Sequence, residues 1–192
     1  MSLMKILTIF IVSIVAIRCD INLGRCQPIQ REMKSFDLNR YLGQWRELAH
    51  SKSIPFQSGE CTQANYSLNE DGTVRVYNTE VVNGHLKGAI GRAEPTENPF
   101  QLKVSFSDSF WGKLFKGDYQ VVDTDYETYT VVYSCTNLIF AKNEFVWILS
   151  RTGEVSAERF EQLTNYVEKK LSISKNTLHV SDQSEEACKY DN

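Results

Sequence analysis

The sequence predicts an all-β fold, an eight-stranded up-and-down antiparallel barrel with one C-terminal α-helix packed outside it. Three observations predict this fold. Short runs rich in β-branched and aromatic residues alternate apolar and polar side chains, as half-buried strands do. Tight turns, such as those at Asp71-Gly72 and Asn83-Gly84, join consecutive runs into antiparallel pairs. Closing such strands into a barrel removes the exposed sheet edges, and the barrel can then enclose one small ligand.

The composition is that of an ordinary globular protein. The chain of 192 residues has a formal net charge of −3 and no basic stripe, so no nucleic-acid partner is predicted. Ten Phe, nine Tyr and three Trp suffice to fill a core and to line a cavity. The sequence contains no CxxC motif and no Cys/His cluster, so neither a metal nor another cofactor is expected. His50, His85 and His179 are isolated, and we expect them to be surface residues or internally hydrogen-bonded ones.

Residues 1–19 predict a cleaved signal peptide, followed by a single domain over residues 20–192. Lys5 precedes the apolar run Ile6–Ile17. Its length of about twelve residues suits a signal sequence and falls short of the roughly 20 that a membrane span needs. A buried strand or a membrane anchor is the alternative. Cleavage is expected after Cys19, and Arg18 argues against a lipid on that cysteine. The mature protein is therefore expected to be secreted.

The predicted strands follow an irregular N-terminal arm, Asp20–Leu38. Alternation is clearest in the fifth strand. A polar turn at Asp123-Thr124-Asp125 is expected to join the sixth strand to the seventh. The eight predicted strands are Trp45–His50, Cys61–Leu68, Thr73–Val82, His85–Ala93, Phe100–Phe106, Tyr119–Val122, Tyr126–Tyr133 and Glu144–Arg151.

After Gly153 the apolar spacing changes from the period of a strand to that of a helix. Ser156 is the expected N-cap, and Lys169 and Lys170 near the end complement the helix dipole. The apolar residues at helical spacing are Phe160, Leu163, Val167 and Leu171. A short final strand, Thr177–Val180, is predicted before an acidic tail.

The predicted mature chain contains four cysteines, Cys26, Cys61, Cys135 and Cys188. An even number of cysteines in an oxidising compartment indicates disulfides. Four cysteines allow three pairings, and their spacing does not choose among them. We expect the bridges to tie the N- and C-terminal tails to the central body.

Three separated motifs resemble those of the lipocalin family: Gly43-Gln44-Trp45, Thr124-Asp125-Tyr126 and Arg151. They lie at the first strand, at the central turn and at the end of the last barrel strand, in the family's order. The resemblance covers Cys26 to Cys188. It is strongest to the apolipoprotein D branch of the family, through the stretches Cys61–Leu68, Val132–Cys135, Trp147–Arg151 and Val180–Gln183.

The resemblance implies two disulfides, one between Cys26 and Cys135 and one between Cys61 and Cys188. It also implies that the Arg151 guanidinium packs over Trp45 at the closed end of the barrel, a cation–π contact worth about 0.5–2 kcal/mol. The three motifs would then be structural, because their residues hold the barrel shut and do no chemistry.

Asn65-Tyr66-Ser67 is a sequon for N-glycosylation. Strand alternation puts Asn65 on the outer face of the barrel and Tyr66 on the inner face. We therefore expect a glycan on Asn65, and the same site occurs in the apolipoprotein D branch that the chain resembles.

The predicted pocket is the barrel interior, where aromatic side chains and a few polar groups should orient an apolar ligand. Tyr66, Asn78 and Trp147 lie on inward faces and match ligand-contacting positions of the resembling branch. The Asn78 amide would bind a ligand carbonyl or carboxylate, or else form a bond within the wall or to a water. Trp147 would line the pocket or belong to the core. Further candidates are Tyr119, Leu102, Val104 and Phe106.

Two apolar loops are expected together at the open end of the barrel. One contains Phe110, Trp111, Leu114 and Phe115, and the other contains Leu138, Ile139 and Phe140. If exposed, they would suit contact with a membrane or lipoprotein surface. Alternatively, they fold down and plug the mouth.

These observations predict a secreted protein that binds and transports small hydrophobic ligands such as fatty acids, sterols or pigment-like molecules. A protein- or membrane-interaction module is the alternative. A lipid-converting enzyme is the third possibility, and it would need a free cysteine thiol as nucleophile, whereas every mature cysteine is expected to be paired. No catalytic residue is predicted, and Asp123 and Asp125 are expected to cap a turn.

Overall fold

The computed structural model describes residues 21–106 and 117–191. The predicted signal peptide and the loop with Phe110, Trp111, Leu114 and Phe115 lie outside these residues. The strands are β1 (Ile21–Leu23), β2 (Gly43–Ser51), β3 (Glu60–Leu68), β4 (Val74–Val82), β5 (His85–Pro95), β6 (Gln101–Phe106), β7 (Gly117–Thr124), β8 (Tyr129–Asn137), β9 (Ala141–Ser150) and β10 (Leu178–Val180). The helices are α1 (Leu38–Tyr41) and α2 (Ala157–Leu171), and a 3-10 turn covers Lys175–Thr177.

Strands β2 to β9 form the predicted closed barrel. Each strand from β2 to β8 pairs antiparallel with the next, and β9 pairs back with β2. The prediction of an all-β, up-and-down barrel is therefore confirmed. The loops 52–59 and 138–140 lie at one end, which we call the open end. The helix α1 and the turn at 125–128 lie at the other end, which we call the closed end.

Two short strands extend the barrel wall without closing it. β1, which the sequence did not predict, pairs with β9 at Ala141–Asn143. β10 pairs with β2 at Ala49–Ser51, where β2 has separated from β3. The register of β2 with β3 covers only Gly43–Arg46. β10 therefore covers the edge of β2 that β3 leaves open.

A β-bulge in β2 sets which side chains enter the barrel. The register with β9 shifts between Glu47, which is opposite Leu149, and Ala49. Leu48 is the extra residue, and both Leu48 and Ala49 pack against the core outside the barrel. Glu47 and His50 therefore both face the interior, although plain alternation would put them on opposite faces.

The apolar core has two parts, one inside the barrel and one between the barrel and α2. The inner part includes Trp45, Tyr66, Val76, Leu102, Val121, Val132 and Leu149. The outer part joins Leu163, Val167 and Leu171 of α2 to Val131, Val146 and Ile148 of the wall. Full burial of each such side chain stabilises the fold by about 1.5–3 kcal/mol. The predicted helix outside the barrel is thereby confirmed.

The ends of α2 follow the sequence prediction. The Ser156 side chain accepts a hydrogen bond from the Arg159 backbone N at 3.2 Å. This bond satisfies one of the amides that the first turn leaves unpaired. Lys169 and Lys170 lie in the last turn, and Ser172 ends the helix in the left-handed conformation, with φ of 57°.

The central turn lies later in the chain than predicted. Thr124 is the last residue of β7, and the turn spans residues 125–128 rather than Asp123-Thr124-Asp125. The Asp125 carboxylate accepts hydrogen bonds from the backbone N of three following residues, at 2.7 to 3.1 Å. Burial acts to raise the pKa of Asp125, but these bonds outweigh it and the pKa is lowered. Tyr126 is consequently not in a strand, and its φ is 71°.

The disulfides join Cys26 to Cys135 and Cys61 to Cys188. These are the pairs that the resemblance implies. The first ties the N-terminal arm to β8, and the second ties the C-terminal tail to β3. Both tails are thus fixed to the wall of the barrel.

Arg151 seals the closed end. Its guanidinium carbon lies 3.7 Å from the centroid of the Trp45 ring, and Trp45 is fully buried. Gly43 has φ of +93°, and a Cβ there would lie 3.5 Å from Arg151 Nη1. The Arg151 side chain donates hydrogen bonds to the backbone carbonyls of Arg40, Tyr41, Leu42, Gln44 and Tyr126.

Replacing Arg151 should therefore destabilise the fold. Arg151→Lys keeps the charge but loses the planar fork of donors and the stacked ring, so we expect the free energy of unfolding to fall by about 2–4 kcal/mol. Urea unfolding followed by circular dichroism measures this change. The control is Arg75→Lys, because Arg75 is exposed and lies over the Tyr77 ring at 5.2 Å. Equal losses in both variants would contradict a special role for Arg151.

Candidate ligand-binding site

The predicted pocket residues all contribute to the inner core or lie beside it. Tyr66 and Leu102 are buried, and Val104, Phe106, Tyr119 and Trp147 pack against the same cluster. Asn78 is opposite Ala64 on β3, which belongs to this cluster, so its side chain also faces inward. The barrel thus brings the predicted pocket residues to one interior surface.

Asn78 has an unpaired polar atom in this apolar interior. Its Oδ1 is buried and has no hydrogen-bond partner among the described residues. A buried polar group left unpaired costs about 1–3 kcal/mol. Among the described residues, no group of the wall makes this bond. Oδ1 itself would accept from a hydroxyl or N–H, and half a turn of the amide would offer Nδ2 to a carbonyl.

A tyrosine cluster forms the floor of the interior. The Tyr119 hydroxyl lies 2.7 Å from the Tyr41 hydroxyl and 3.0 Å from the Tyr66 hydroxyl. Tyr41 also reaches Thr130 Oγ1 at 3.2 Å and stacks against Tyr66. Burial raises the pKa of Tyr66 to about 12, opposed by the bond from Tyr119. These hydroxyls are paired with one another and hold the aromatic floor together.

A buried polar network lies nearer the open end, and sequence reasoning missed it. The Glu47 carboxylate, in a residue only 1% exposed, accepts a hydrogen bond from Gln57 Nε2 at 2.5 Å and also bonds to Ser181 Oγ. The His50 Nδ1 lies 2.7 Å from Glu47 Oε1. The Trp147 indole Nε1 donates to Gln57 Oε1 at 3.1 Å. His50 is thus internally bonded, and Trp147 belongs to a polar site as well as to the wall.

His179 is also hydrogen-bonded, and its ring lies beside that of His50. His179 Nε2 lies 2.9 Å from Glu60 Oε1, and its ring centroid is 5.0 Å from that of His50. Between residues 21 and 191, leaving out 107–116, no group of three or more His, Cys, Asp or Glu side chains could hold a metal ion.

The surface features fall on the outside of the barrel. Asn65 is exposed, as strand alternation predicted. Leu138, Ile139 and Phe140 form the turn between β8 and β9, and Ile139 and Phe140 are 82% and 85% exposed. This turn therefore does not plug the mouth. Among the described residues, none of the helices has the length and apolarity of a membrane span.

A barrel sealed at one end, with aromatic walls and a few inward polar groups, has the architecture of a small-ligand-binding protein. Residues 36–183 match the family model for the lipocalin-like domain, and the chain belongs to the lipocalin family. It is 36% identical over 172 residues to apolipoprotein D from Macaca fascicularis, covering 85% of each chain. It is 29% identical over 171 residues to the bilin-binding protein of Pieris brassicae, covering 88% of this chain and 89% of that one.

The fold is also that of a solved structure. Lobster apocrustacyanin A1 superposes with a TM-score of 0.73 at 19% identity, over 86% of this chain and 92% of that chain. The predicted family, and its likeness to apolipoprotein D, are confirmed.

The raised pKa of Tyr66 predicts a loss of stability in alkali. A tyrosine in the unfolded chain ionises near about pH 10, whereas folded Tyr66 has a pKa of about 12. The stability that Tyr66 contributes is complete below the unfolded value and is lost as the pH rises to the folded one. The slope for one such group is about 1.4 kcal/mol per pH unit.

Tyr66→Phe should flatten this dependence, because it removes the ionising hydroxyl and keeps the ring. Urea unfolding at a series of pH values between about 9 and 11.5 gives the slope for each protein. We expect the slope of the variant to be smaller by up to about 1.4 kcal/mol per pH unit. Identical slopes would show that Tyr66 does not ionise with a raised pKa.

Proposed function

We propose that this protein is a secreted carrier that binds small hydrophobic molecules, such as fatty acids, sterols or pigment-like compounds, inside its barrel. The observation that carries the proposal is the buried Asn78 Oδ1, which has no partner among the described residues and lies on the same inner wall as the apolar cluster. A ligand in contact with Asn78 would supply the missing bond, and its apolar body would pack on Leu102, Val104 and Phe106. The name of the bilin-binding protein, a relative, states a ligand of this pigment-like kind.

Secretion is supported by the cysteines and by the apolar N-terminal run. Disulfides persist in oxidising compartments, and both bridges tie tails of the chain to the barrel. The run Ile6–Ile17 fits a cleaved signal peptide over residues 1–19. The exposed Asn65 would carry a glycan in the same compartment.

The proposal includes no catalytic step. Cys26, Cys61, Cys135 and Cys188 are all in disulfides, so none of them offers the thiolate that a lipid-converting reaction of this kind would use. Asp123 accepts a hydrogen bond from Tyr129, and Asp125 caps the adjacent turn. Their roles are structural.

Ligand binding should quench the fluorescence of Trp147, which lies on the interior surface. A steroid bearing a hydroxyl or a ketone is titrated into the protein, and saturable quenching is the expected result. The control is Trp147→Phe, with both proteins carrying Trp111→Phe so that Trp45, which is buried under Arg151 at the far end, is the one tryptophan left in the control. Failure of several apolar ligands to bind by any method would contradict the carrier function.

The same titration tests Asn78. We expect Asn78→Leu to weaken binding of the hydroxyl or ketone steroid by roughly tenfold, the value of one hydrogen bond, while the parent hydrocarbon changes by less than about twofold. Leu102→Val serves as a control, because trimming the apolar wall should weaken both ligands alike. Equal losses for both ligands with Asn78→Leu would contradict the orienting role of the amide.

A second candidate function is contact with a membrane or lipoprotein surface through the open end. It is favoured by the exposure of Ile139 and Phe140 and by Leu23, which is 87% exposed. The Gly24 backbone N donates to the Phe140 carbonyl at 3.4 Å, so the end of β1 lies beside this turn. Adjacent exposed apolar side chains of this kind are suited to insertion among lipids.

Phe140→Asp should weaken binding to phosphatidylcholine vesicles by at least about tenfold, because a charge replaces an exposed aromatic ring. Vesicle flotation measures the bound fraction. Leu68→Asp is the matched control, since Leu68 is exposed at the end of β3 on the closed side. If the unaltered protein does not float with vesicles, the second candidate is excluded.

A further inference from the structure

Inside the barrel, the Gln57 side-chain amide is hydrogen-bonded through both its oxygen and its nitrogen. Its carboxamide Oε1 accepts from the Trp147 indole, and its Nε2 donates to Glu47 and also lies 3.1 Å from His50 Nδ1. The wall therefore presents one hydrogen-bond donor and one acceptor side by side. Gln57 comes from the irregular segment 52–59 at the open end and not from a barrel strand.

Glu47 gives this site a negative character. A buried carboxylate is tolerated when donors replace its water, and Glu47 is held by His50, Gln57 and Ser181. Its charge also reaches the lining of the barrel. Burial is the largest cause of the raised pKa of Tyr66, and the hydrogen bond from Tyr119 opposes it. The charge of Glu47 adds to the increase.

The Gln57 side chain can withdraw without breaking the barrel. The residues after it are held separately, because the backbone N of Ser58 and of Gly59 donate to Glu80 Oε2 at 3.1 and 2.7 Å. Removing the carboxamide from between Trp147 and Glu47 requires rotation about side-chain bonds only. No strand pairing depends on it.

The geometry points to Trp147 and Glu47 as a head-group site for the ligand, with Gln57 as an internal surrogate that the ligand displaces. This inference rests on the proposed carrier function and narrows it. The ligand class is a neutral head with an acceptor beside a donor, such as a primary amide or a lactam. Such a head reproduces both bonds of the Gln57 carboxamide.

Esters and carboxylates fit this site less well than amides. An ester reproduces the bond from Trp147 but offers no donor to Glu47. A carboxylate puts a second negative charge beside Glu47 in a region of low dielectric. The nearest histidine nitrogens are already engaged, because His50 Nδ1 contacts Glu47 and His179 Nε2 contacts Glu60, so neither is open to the ligand head. Fatty acid anions should therefore be the poorest ligands of a matched series.

Three ligands with the same alkyl chain test the inference on the unaltered protein. Dodecanamide, methyl dodecanoate and dodecanoate compete with the neutral dye Nile red, whose fluorescence reports the occupied barrel. We expect dodecanamide to bind roughly tenfold more tightly than the methyl ester, and the ester more tightly than the anion. Tighter binding of dodecanoate than of dodecanamide, or equal binding of all three, overturns the inference.

Two variants test whether Glu47 and Gln57 produce this order of affinities. Glu47→Gln should bring the affinities for dodecanoate and dodecanamide to within about threefold, because the buried charge is gone. Gln57→Ala should raise the affinity for dodecanamide severalfold, since no surrogate has to be displaced. The control is Glu60→Gln, a more exposed carboxylate that should leave the order unchanged. Reduced dodecanamide binding in Gln57→Ala, or an unchanged preference in Glu47→Gln, also overturns the inference.

The outcomes separate this inference from the carrier function. If Nile red and all three ligands fail to bind, the carrier function itself fails. If they bind without the expected order, the carrier function stands and the head-group site fails. Should Glu47→Gln not fold, the series on the unaltered protein and the Gln57→Ala variant still decide the question.

Discussion

The antiparallel pairing of β2 with β9 is the contact on which the rest of the molecule depends. It turns a meander of strands into a closed wall, so that the inner core is shielded from water and neither strand presents a full-length open edge. The same pairing puts Trp45 beneath Arg151 at the closed end. Its bulge at Leu48 then turns His50 to the same inner side as Glu47. The pairing of β2 with β9 thus accounts for the closure of the barrel, for the packing of Arg151 over Trp45 and for the inward position of His50.

The interior is divided into a floor and an upper part with different chemistry. The floor is complete in itself, because the hydroxyls of Tyr41, Tyr66 and Tyr119 pair with one another. Polar groups of the upper part are either unpaired, as in Asn78, or paired with a side chain that can leave, as in Glu47 with Gln57. Unpaired or replaceable partners are where a ligand gains most from binding. The division explains why a barrel with a packed aromatic floor can still serve as a carrier.

Much of the fold could be predicted from the sequence, because alternation and helical spacing are local signals. The barrel strands and α2 follow from them, and the seal by Arg151 follows from the family motifs. Alternation cannot reveal a bulge, however, since one extra residue at Leu48 reverses the faces that follow it. The inward position of His50 was missed for that reason. Glu47 lies before the bulge on the same face as Trp45, but its partners Gln57 and Ser181 come from segments that local patterns do not bring together. The central turn was placed early because Thr124 continues β7, and the capping by Asp125 acts only on later residues. The disulfide pairs came from the family resemblance, as spacing alone leaves three choices.

The covering of β2 by β10 has a consequence for biosynthesis. During synthesis β2 emerges long before two of its partners, because β9 and β10 lie near the C-terminal end of the chain. The disulfides likewise join residues 109 and 127 positions apart. The barrel therefore cannot close before β9 has been made, and partly formed sheets with bare edges must persist until then. The covering of β2 by β10 and the bridge from Cys61 to Cys188 come last, so the completion of folding depends on the tail being intact.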